Sequence, residues 1–580
     1  PTLAGELIDL TTAAPIELGT NWTVAANTYL QPQAARDTDI PDIGYHAYPC
    51  DYIVKGITIN ASKRLGFNNG VAVGFYSTTG ISFSSSGTPS FVSAGLPESM
   101  NHLFSVNAVF EQPQAWLTSP TVTFLSPPAI ASPGTGATHS LRFTEVDGGT
   151  LYPIFASGNI SVQDCALKGV TWTYNSYSGT ADGATNTIRN TLFERCSVDW
   201  TQGYVGTGYY LGITLQNNLF SRTSVALTHY GDGCGLWSAY DNLFDTCATV
   251  SLTEYGTNNF TAFGYNGYIS TTRFLSGTGD KTGLLRDFIS GPLGDYYYPT
   301  NSTANSLSTL INGDNYRAPG ATGVGLYQYT TTLDQAKDAA TQLDIGMHYV
   351  AFENHRASVE FSGTQGNNNW YYYRSTTPQG STLALLTSYS TLGSGLTWWD
   401  SSLPGNDTYT WVYAAGQHPG VNYDSVRLWQ SPLASKMSVW STATASSTGD
   451  GVRLHMSRGT VALSSWVTLP TTTSTTLNAQ TYIQTGDALS FQLNMNGSNA
   501  TDATAWNPLV VVHRGVDSDG DGLPDWFEDT NGDGTVNSND GTTDFDNDGI
   551  IDRLDAKPFD PTVSTFQITI DRPANGSTLN

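Results

Sequence analysis

The feature that most constrains the fold is a loose internal repeat between residues 160 and 252. Four segments align beneath one another, with starts 26, 27 and 24 residues apart: Val162–Leu167, Ile188–Phe193, Leu215–Phe220 and Ala239–Phe244. Each unit carries a short apolar alternation, an Asp or Asn, and a second alternation, which is the pattern of strands joined by tight bends. Units of this size bury their apolar faces by stacking on one another. We therefore predict an all-β chain containing a right-handed parallel β-helix over residues 126–352, preceded by an N-terminal β region at 1–125.

The alignment also predicts a register. Leu192, Leu219 and Leu243 occupy equivalent places, so we expect them to stack on adjacent coils at the strand spacing of about 4.8 Å. A column of acids and amides lies just before them: Asp164, Asn190, Asn217 and Asp241. The column could be a row of functional groups, but such side chains at a bend usually serve the turn. We interpret it as turn chemistry.

The cysteines follow from the same register. Five are spread through the chain, which is neither a dense disulfide framework nor a metal-binding pattern. Cys196 and Cys247 fall in one column, two coils apart, so their Cα atoms should be about 9.6 Å apart. A disulfide needs less than about 7 Å. We expect both thiols to be reduced and buried, with Cys234 alone free to reach a partner.

Composition limits the partners. The net charge is −25 with only 24 Lys and Arg, which disfavours nucleic acid and anionic membranes. No run of about 18 apolar residues is present, so no membrane span is predicted. Calcium and neutral glycans remain plausible partners. The chain starts at Pro1, and residues 563–580 resemble the first strand of a further domain or an exchanged strand, so we expect a mature or cropped piece of a longer protein.

Two further segments that resemble each other lie on either side of the repeat. Residues 33–48 and 335–350 share the order Gln-Ala, then Asp, then Asp-Ile-Gly-x-His, ending at His46 and His348. At these motifs the chain resembles very large secreted proteins of Verrucomicrobia and related bacteria, in which such an element closes a β-helical unit; Met347 departs from their aromatic residue. The resemblance implies architecture and no activity. A His in a repeated apolar motif is more often structural than catalytic, and we treat both as structural.

Residues 353–514 have a different texture, with alternating strands rich in Trp and Tyr. Segments such as Val426–Pro432, Gly486–Phe491 and Asp502–Pro508 resemble a jelly-roll module often joined to bacterial polysaccharide-acting enzymes. The resemblance implies a β-sandwich that binds glycans. Stacking on sugar rings requires exposed aromatic faces, and the candidates are Trp370, Tyr371, Trp398 and Trp399. The alternative for each is core packing.

The last motif is a set of three tandem calcium loops within residues 515–562. Each loop places oxygen ligands at positions 1, 3, 5, 9 and 12, Gly at position 6 and a backbone carbonyl at position 7, which is the ligand plan of a Ca²⁺ loop. The predicted ligands are Asp517, Asp519, Asp521, Leu523, Asp525 and Glu528; Asp529, Asn531, Asp533, Thr535, Asn537 and Asp540; and Asp544, Asp546, Asp548, Ile550, Asp552 and Asp555. From 517 to 560 there are 14 acidic and two basic residues, and such a density of like charge is stable only with bound cations.

The loops follow one another without room for flanking helices, so EF-hands are disfavoured and a dockerin fits less well. The segment instead resembles thrombospondin type 3 repeats. Extracellular calcium is high enough to fill loops of low affinity, which predicts a secreted or cell-surface bacterial protein. We expect this segment to have a core separate from that of the β-helix.

Two functional hypotheses follow. The favoured one is an extracellular structural or adhesive protein of a cell surface or matrix, stabilised by calcium, binding glycans and assembling end to end. The alternative is a secreted polysaccharide lyase or glycoside hydrolase acting in the β-helix groove. Glu194, Arg195, Asp199, Asp245 and Glu254 are candidate acids and bases there, but we place them at different coil positions. No catalytic residue is predicted.

Overall fold

The computed structural model describes residues 10–18, 22–34, 48–84, 86–105, 123–125, 138–151, 159–176, 184–202, 211–230, 237–255, 262–273, 277–301, 303–313, 324–338, 342–392, 395–446, 448–519, 523–529, 535–536, 550–555 and 558. The chain divides into two compact units. The β-helix unit comprises residues 13–35, 49–351 and 516–580, and the sandwich unit comprises residues 1–12, 36–48 and 352–515. The unit boundary after Ala351 lies within one residue of the predicted one.

The described strands of the β-helix unit follow one another in short steps along the chain. They are β1 (Ile16–Glu17), β2 (Trp22–Val24), β3 (Thr28–Leu30), β4 (Tyr52–Ile59), β5 (Arg64–Phe67), β6 (Ala72–Phe83), β7 (Ser90–Ala94), β8 (Asn101–Ser105), β9 (Thr123–Leu125), β10 (Thr138–Arg142), β11 (Thr144–Asp147), β12 (Thr150–Leu151), β13 (Asn159–Gln163), β14 (Ala166–Lys168), β15 (Thr171–Ser176), β16 (Ala184–Arg189), β17 (Leu192–Glu194), β18 (Ser197–Gln202), β19 (Leu211–Gln216), β20 (Leu219–Ser221), β21 (Ser224–Tyr230), β22 (Trp237–Tyr240), β23 (Leu243–Asp245), β24 (Val250–Tyr255), β25 (Ala262–Gly264), β26 (Gly267–Ile269), β27 (Lys281–Thr282), β28 (Ile289–Gly291), β29 (Gly294–Tyr297), β30 (Tyr329–Thr330) and β31 (Tyr349–Val350).

From β7 to β24 each coil is built from three strands separated by two tight bends, whereas in the earlier coils β4 and β6 each take the place of two short strands. In the coil β16–β17–β18 the bends are at Asn190 (φ 48°) and Arg195 (φ 52°), both left-handed. The same strand positions of successive coils pair in parallel, so that Leu192 pairs with Leu219 and Leu219 with Leu243. This confirms the predicted parallel β-helix and the stacking of the leucines. Asp164, Asn217 and Asp241 also have positive φ, which agrees with the turn interpretation of their column.

The β-helix starts earlier than predicted. Strands β1 and β2 pair in parallel with β4, and β3 pairs in parallel with β5. One hydrophobic core runs from Val24 to Tyr268. The separate N-terminal β region predicted at 1–125 is therefore the first part of the β-helix, whose early coils lack the repeat that marks the later ones.

The interior is filled by the residue that follows each aligned leucine. Phe193, Phe220, Phe244 and Tyr268 stack in succession, with ring centroids 4.6, 5.0 and 5.3 Å apart. The leucines themselves point outward and form a second core with Ile345 and Met347. Leu284, Leu307, Leu310 and Ile345, from the described parts of the segment after the last coils, therefore cover one face of the β-helix.

Amides line a bend inside the coils. Asn218 Nδ2 donates to Asn242 Oδ1 (2.9 Å), and Asn242 Nδ2 donates to Asn266 Oδ1 (3.1 Å). Each also bonds the backbone of a neighbouring coil, as Asn218 does with the Ile188 carbonyl (3.0 Å). The ladder satisfies backbone groups that the bend would otherwise leave unpaired.

The cysteines of the described residues are reduced. Cys50, Cys165, Cys196 and Cys247 are all buried and free, and Cys234 lies outside the described residues. Burial raises the pKa of the Cys196 and Cys247 thiols to about 12, so both act as apolar fillers. No helix among the described residues has the length and apolarity of a membrane span.

The sandwich unit consists of two antiparallel sheets around a core that includes Trp370, Trp429 and Phe491. Its strands are β32 (Phe352–Arg356), β33 (Trp370–Ser375), β34 (Leu383–Leu385), β35 (Ser388–Leu392), β36 (Gly395–Trp399), β37 (Trp411–Tyr413), β38 (Gly416–His418), β39 (Ser425–Gln430), β40 (Ser435–Thr444), β41 (Val452–Arg458), β42 (Val461–Ala462), β43 (Val467–Leu469), β44 (Ser474–Ile483), β45 (Ala488–Met495), β46 (Thr504–Trp506) and β47 (Leu509–Gly515). The described helices are short: 3₁₀ turns at Leu307–Leu310, Asn367–Asn369, Gly405–Tyr409 and Asp552–Leu554, and a one-turn α-helix, α1, at Asp525–Glu528.

Candidate functional site

The closing motif at 344–348 lies against the acid and amide column. Asn190 Oδ1 accepts from the His348 N–H (2.6 Å), Asn217 Nδ2 donates to the Asp344 carbonyl (3.0 Å), and the Asp241 carbonyl accepts from the Gly346 N–H (2.7 Å). The column thus serves both the turns and the closing segment. The first copy of the motif, which contains His46, lies outside the described residues.

His348 is a structural residue of this segment. Its side chain is fully buried, with Nε2 2.8 Å from Asp338 Oδ2 and Nδ1 3.0 Å from the Gly346 carbonyl. Burial alone would lower the pKa of His348, but the bond to Asp338 and its charge raise it. Burial and Asp338 raise the pKa of Asp344 to about 6. Asp338, Asp344 and His348 are close enough to hold a metal ion, yet protein donors already occupy them, including the Asn312 N–H on Asp344 Oδ1 (2.6 Å).

The structure describes five of the six predicted ligands of the first predicted calcium loop. Asp517 is half-buried, Asp519 is exposed, and Leu523, Asp525 and Glu528 are buried. Asp525 accepts from the Ser518 N–H (2.7 Å) and the Ser518 hydroxyl (2.7 Å). It therefore braces the loop, in keeping with position 9, where ligation is often through water.

Several predicted ligands are deeply buried. Asp525, Glu528, Asp552 and Asp555 are each 2% exposed, and Asp529 is 8% exposed. Of the remaining ligands, Thr535 and Ile550 are described and not buried. Asp521, Asn531, Asp533, Asn537, Asp540, Asp544, Asp546 and Asp548 lie outside the described residues. Within the described part of the chain, the acid and His groups of three at metal-binding distance lie elsewhere, at His102/Glu145/Asp147 and Asp338/Asp344/His348.

The segment that carries α1 is docked on the β-helix. The Trp526 ring meets Phe143 edge-on at 5.1 Å, and the Arg142 guanidinium lies 5.0 Å from the centre of the Trp526 ring. Lys337 Nζ is 2.9 Å from Asp525 Oδ2, and Gln328 Nε2 donates to Asp529 Oδ2 (3.2 Å). These contacts place the segment directly against the coils, while Trp526 and Phe143 lie outside the main hydrophobic core of the β-helix.

A pocket of about 560 Å³ lies on the outer face of the coils, partly covered by residues 286–296. A column of charged and polar side chains, which we call the charged ladder, follows the same strand position: Lys168, Glu194, Ser221 and Asp245 pair across successive coils, with Glu145, Arg222 and Arg286 beside them. Of these side chains, Lys168, Glu194, Glu145, Arg222 and Arg286 line the pocket. The view that Glu194 and Asp245 occupy different coil positions was wrong. Both lie two residues after an aligned leucine, so the register could have placed them together.

The ladder alternates in charge. Lys168 Nζ is 2.7 Å from Glu145 Oε2, Arg222 pairs with Glu194, and Arg286 Nε is 2.9 Å from Asp245 Oδ2. Burial alone would lower the pKa of Lys168, but Glu145 and the other nearby carboxylates raise it. Lys168 is therefore a firmly protonated cation, and acids and bases of the ladder are engaged with each other.

The aromatic candidates of the sandwich unit divide into two classes. Trp370 is fully buried, with Nε1 donating to Glu360 Oε2 (2.7 Å), and Trp398 is 6% exposed, with Nε1 donating to the Ser362 carbonyl (2.8 Å). Neither can stack on a sugar, because both face the core. Trp399 and Tyr371 are half-buried, and Trp399 Nε1 donates to Ser390 Oγ (3.0 Å).

Tyr371 belongs to a surface that the sequence did not single out. Alternation along β33 turns Trp370 and Tyr372 inward and Tyr371 and Tyr373 outward. The outward tyrosines have ring centroids 6.3 Å apart, and they pair with Leu428 on β39 and Leu385 on β34. We call Tyr371, Tyr373, Leu385 and Leu428 the tyrosine face.

Comparison with known proteins identifies no family. No family model and no curated protein matches the chain. Among solved structures, the chain is similar to the enzymatically active domains of bacteriophage CBA120 tailspike protein 4 (10% identity, TM-score 0.19, 79% of this chain and 64% of that one) and tailspike protein 2 (11%, 0.14, 78% and 75%). An isomalto-dextranase of Arthrobacter globiformis T6 with panose matches at 12% identity and TM-score 0.13, over 25% of this chain and 23% of its own length. Similarity this low carries no argument about function.

Proposed function

We propose that this chain is an extracellular structural or adhesive protein of a bacterial surface or matrix, in which a calcium-stabilised β-helix is joined to a glycan-binding sandwich. The observation that carries the proposal is the docking of α1 on the β-helix. Trp526 connects this segment to Phe143 of the coils, and Asp525 and Asp529 connect it to Lys337 and Gln328. Any ion that orders this segment therefore also stabilises the β-helix.

The donor set suits calcium. Asp525, Glu528, Asp552 and Asp555 are each 2% exposed, and Ca²⁺ takes six to eight oxygens, including carboxylates and backbone carbonyls. In the first loop Asp517, Asp519, Glu528 and the Leu523 carbonyl would hold the ion.

Hydrogen exchange with and without a chelator tests the calcium role. Removing calcium should increase amide exchange in 523–529, in 324–338 and in 138–147, because these segments are in contact. Residues 211–230, in interior coils, serve as the internal control. Increased exchange confined to 516–555, or none at all, would contradict a role in stabilising the β-helix.

Glycan binding is assigned to the tyrosine face. Paired outward tyrosines offer flat apolar rings to sugar faces, and Leu385 is 43% exposed beside them. A Tyr371→Ala, Tyr373→Ala double variant should lose retardation in affinity electrophoresis through a retained polysaccharide, whereas Tyr255→Ala, a 50% exposed tyrosine of the β-helix, should not. Equal retardation of all variants would remove this assignment. A test of end-to-end association repeats the electrophoresis at increasing protein concentration and follows it with sedimentation of the same protein.

The second candidate function is polysaccharide cleavage in the pocket. The observation that favours it is the presence of carboxylates and cations in a pocket of sugar size. Because Lys168 is protonated, it cannot accept a proton as the base of a lyase would. A hydrolase needs carboxyl groups that are free to face the substrate. Incubation with a polysaccharide panel should yield neither reducing ends nor unsaturated products; a product that disappears in Lys168→Ala would establish the enzyme instead.

A further inference from the structure

A second acidic centre lies in the sandwich unit, outside the predicted calcium loops. Asp502, in the connection between β45 and β46, is 2% exposed, and its Oδ2 accepts no hydrogen bond from any described residue. A buried carboxylate without a partner is costly. This oxygen therefore requires a proton, a water molecule or a cation.

Further oxygens converge beside Asp502. Gly449 has φ +109°, and a Cβ placed on it would lie 3.0 Å from Thr501 Oγ1, 3.1 Å from the Ala500 carbonyl oxygen and 3.2 Å from Asp502 Oδ1. The space that a methyl group would fill is thus surrounded by three oxygens from one loop. Glycine is required here both for the backbone angle and for the room.

The charge of this centre is negative. Asp450, next to Gly449, is held by the Ser498 N–H on its Oδ2 (3.0 Å), and a Cβ at Gly497 would lie 2.6 Å from the same oxygen. Burial, together with the charge of Asp450, raises the pKa of Asp502 to about 7. A cation bound at Asp502 would relieve the unfavourable interaction of its charge with that of Asp450.

We infer that the loops at Gly449 and at 500–502 form a cation site of their own, with Asp502 as the charged ligand and Thr501 and the Ala500 carbonyl as neutral ones. The ligands are all oxygen, from carboxylate, carbonyl and hydroxyl groups, which selects a hard divalent ion. Ca²⁺ tolerates such an irregular set, whereas Mg²⁺ demands near-octahedral geometry and Zn²⁺ favours nitrogen and sulfur.

Bound calcium per chain tests the site in the full-length protein. After dialysis against millimolar calcium and removal of free ion, elemental analysis should find one Ca²⁺ fewer per chain in Asp502→Asn than in wild type. Asp487→Asn is the matched control, because Asp487 caps a turn of the same unit by accepting the Gln484 N–H (3.1 Å). Equal calcium in wild type and Asp502→Asn would overturn the site and leave Asp502 as a protonated acid.

A second pair of variants covers the case in which Asp502→Asn does not fold. Gly449→Ala fills the cradle while keeping every carboxylate, and should also lose one ion. Gly459→Ala is its control, since Gly459 also has positive φ (52°) but no atom within 4 Å of a Cβ. Retention of the ion in Gly449→Ala would overturn the site.

The site is separable from the loops at 517–555. In an Asp517→Asn, Asp519→Asn variant, amide exchange in 496–504 should still slow on adding calcium. Loss of that response would show that the calcium effect on the sandwich unit arises in the first loop.

Discussion

At the scale of single residues, the amide ladder is the part of the β-helix most sensitive to substitution. Asn218 donates to two neighbours and accepts from the Thr191 N–H, so Asn218→Ala leaves several buried groups unsatisfied, each costing about 1–3 kcal/mol. We expect a large fall in the denaturant midpoint. Asn186 is 2% exposed, but neither end of its amide has a hydrogen-bond partner among the described residues, so Asn186→Ala should change the denaturant midpoint little. Equal falls in the denaturant midpoint for Asn218→Ala and Asn186→Ala would contradict a special role for the amide ladder.

His355 gives the sandwich unit a defined pH dependence. Burial alone would lower its pKa, but hydrogen bonds to Glu353 and Glu360 raise it to about 9. A folded-state pKa above the unfolded value of 6.5 stabilises the fold fully below pH 6.5, and the gain is lost as the pH rises through 9.

The melting temperature of the sandwich unit should therefore fall between pH 6.5 and 9, and His355→Gln should flatten that fall. His455, whose pKa is lowered by burial, is neutral over this range, so His455→Gln should keep the wild-type slope. A flat wild-type profile would refute the assignment.

The sequence predicted residue roles well where local chemistry decides them. Asp164, Asn190, Asn217 and Asp241 take left-handed angles that amide and acid side chains tolerate. The sequence could not decide whether Trp370 and Trp398 face the core or the solvent. Strand alternation defines two faces, and only packing determines which of them is the inner one.

At the scale of elements, α1 is the connection to test. Trp526 is 6% exposed and lies between Arg142 and Phe143. Trp526→Ala should lower the free energy of local opening by about 3–5 kcal/mol, measured by native-state exchange of amides in 523–529 and 142–147. Trp466→Ala, in the sandwich unit, is the control and should leave those amides unchanged. Undiminished protection in Trp526→Ala would mean that α1 is held by other contacts.

The elements also show what a repeat can and cannot predict. The spacing of 26, 27 and 24 residues gave the correct pairing of strands β14, β17, β20 and β23. It did not give the direction of the leucines, because Leu and Phe are adjacent and either could face the interior. The left-handed bends settle this by turning the phenylalanines inward, and the leucines then require the cover supplied by the segment after the last coils.

At the scale of the whole molecule, the two units have separate hydrophobic cores. We expect two transitions on heating, and only the β-helix transition should depend on the contacts of Trp526. Calorimetry of wild type and Trp526→Ala with and without chelator measures this. A single transition that shifts as one would contradict separate cores.

The large-scale division was only partly predictable. The change in texture near residue 352 marks the unit boundary because a Trp-rich sandwich and a coil repeat differ in composition. The start of the β-helix left no such mark, since coils before residue 138 are irregular in length and share no aligned motif. The return of residues 516–555 to the β-helix unit depends on contacts between Trp526 and Phe143, far apart in sequence.

The closing motif also has a mechanical consequence. Tension along the axis of a β-helix pulls neighbouring coils apart. Because the coils follow one another along the axis, every junction between two coils carries the whole force. The segment 344–348 binds Asn190, Asn217 and Asp241, which belong to three successive coils. It therefore spans both junctions between these three coils. Neither junction can open unless hydrogen bonds between the segment and the coils also break.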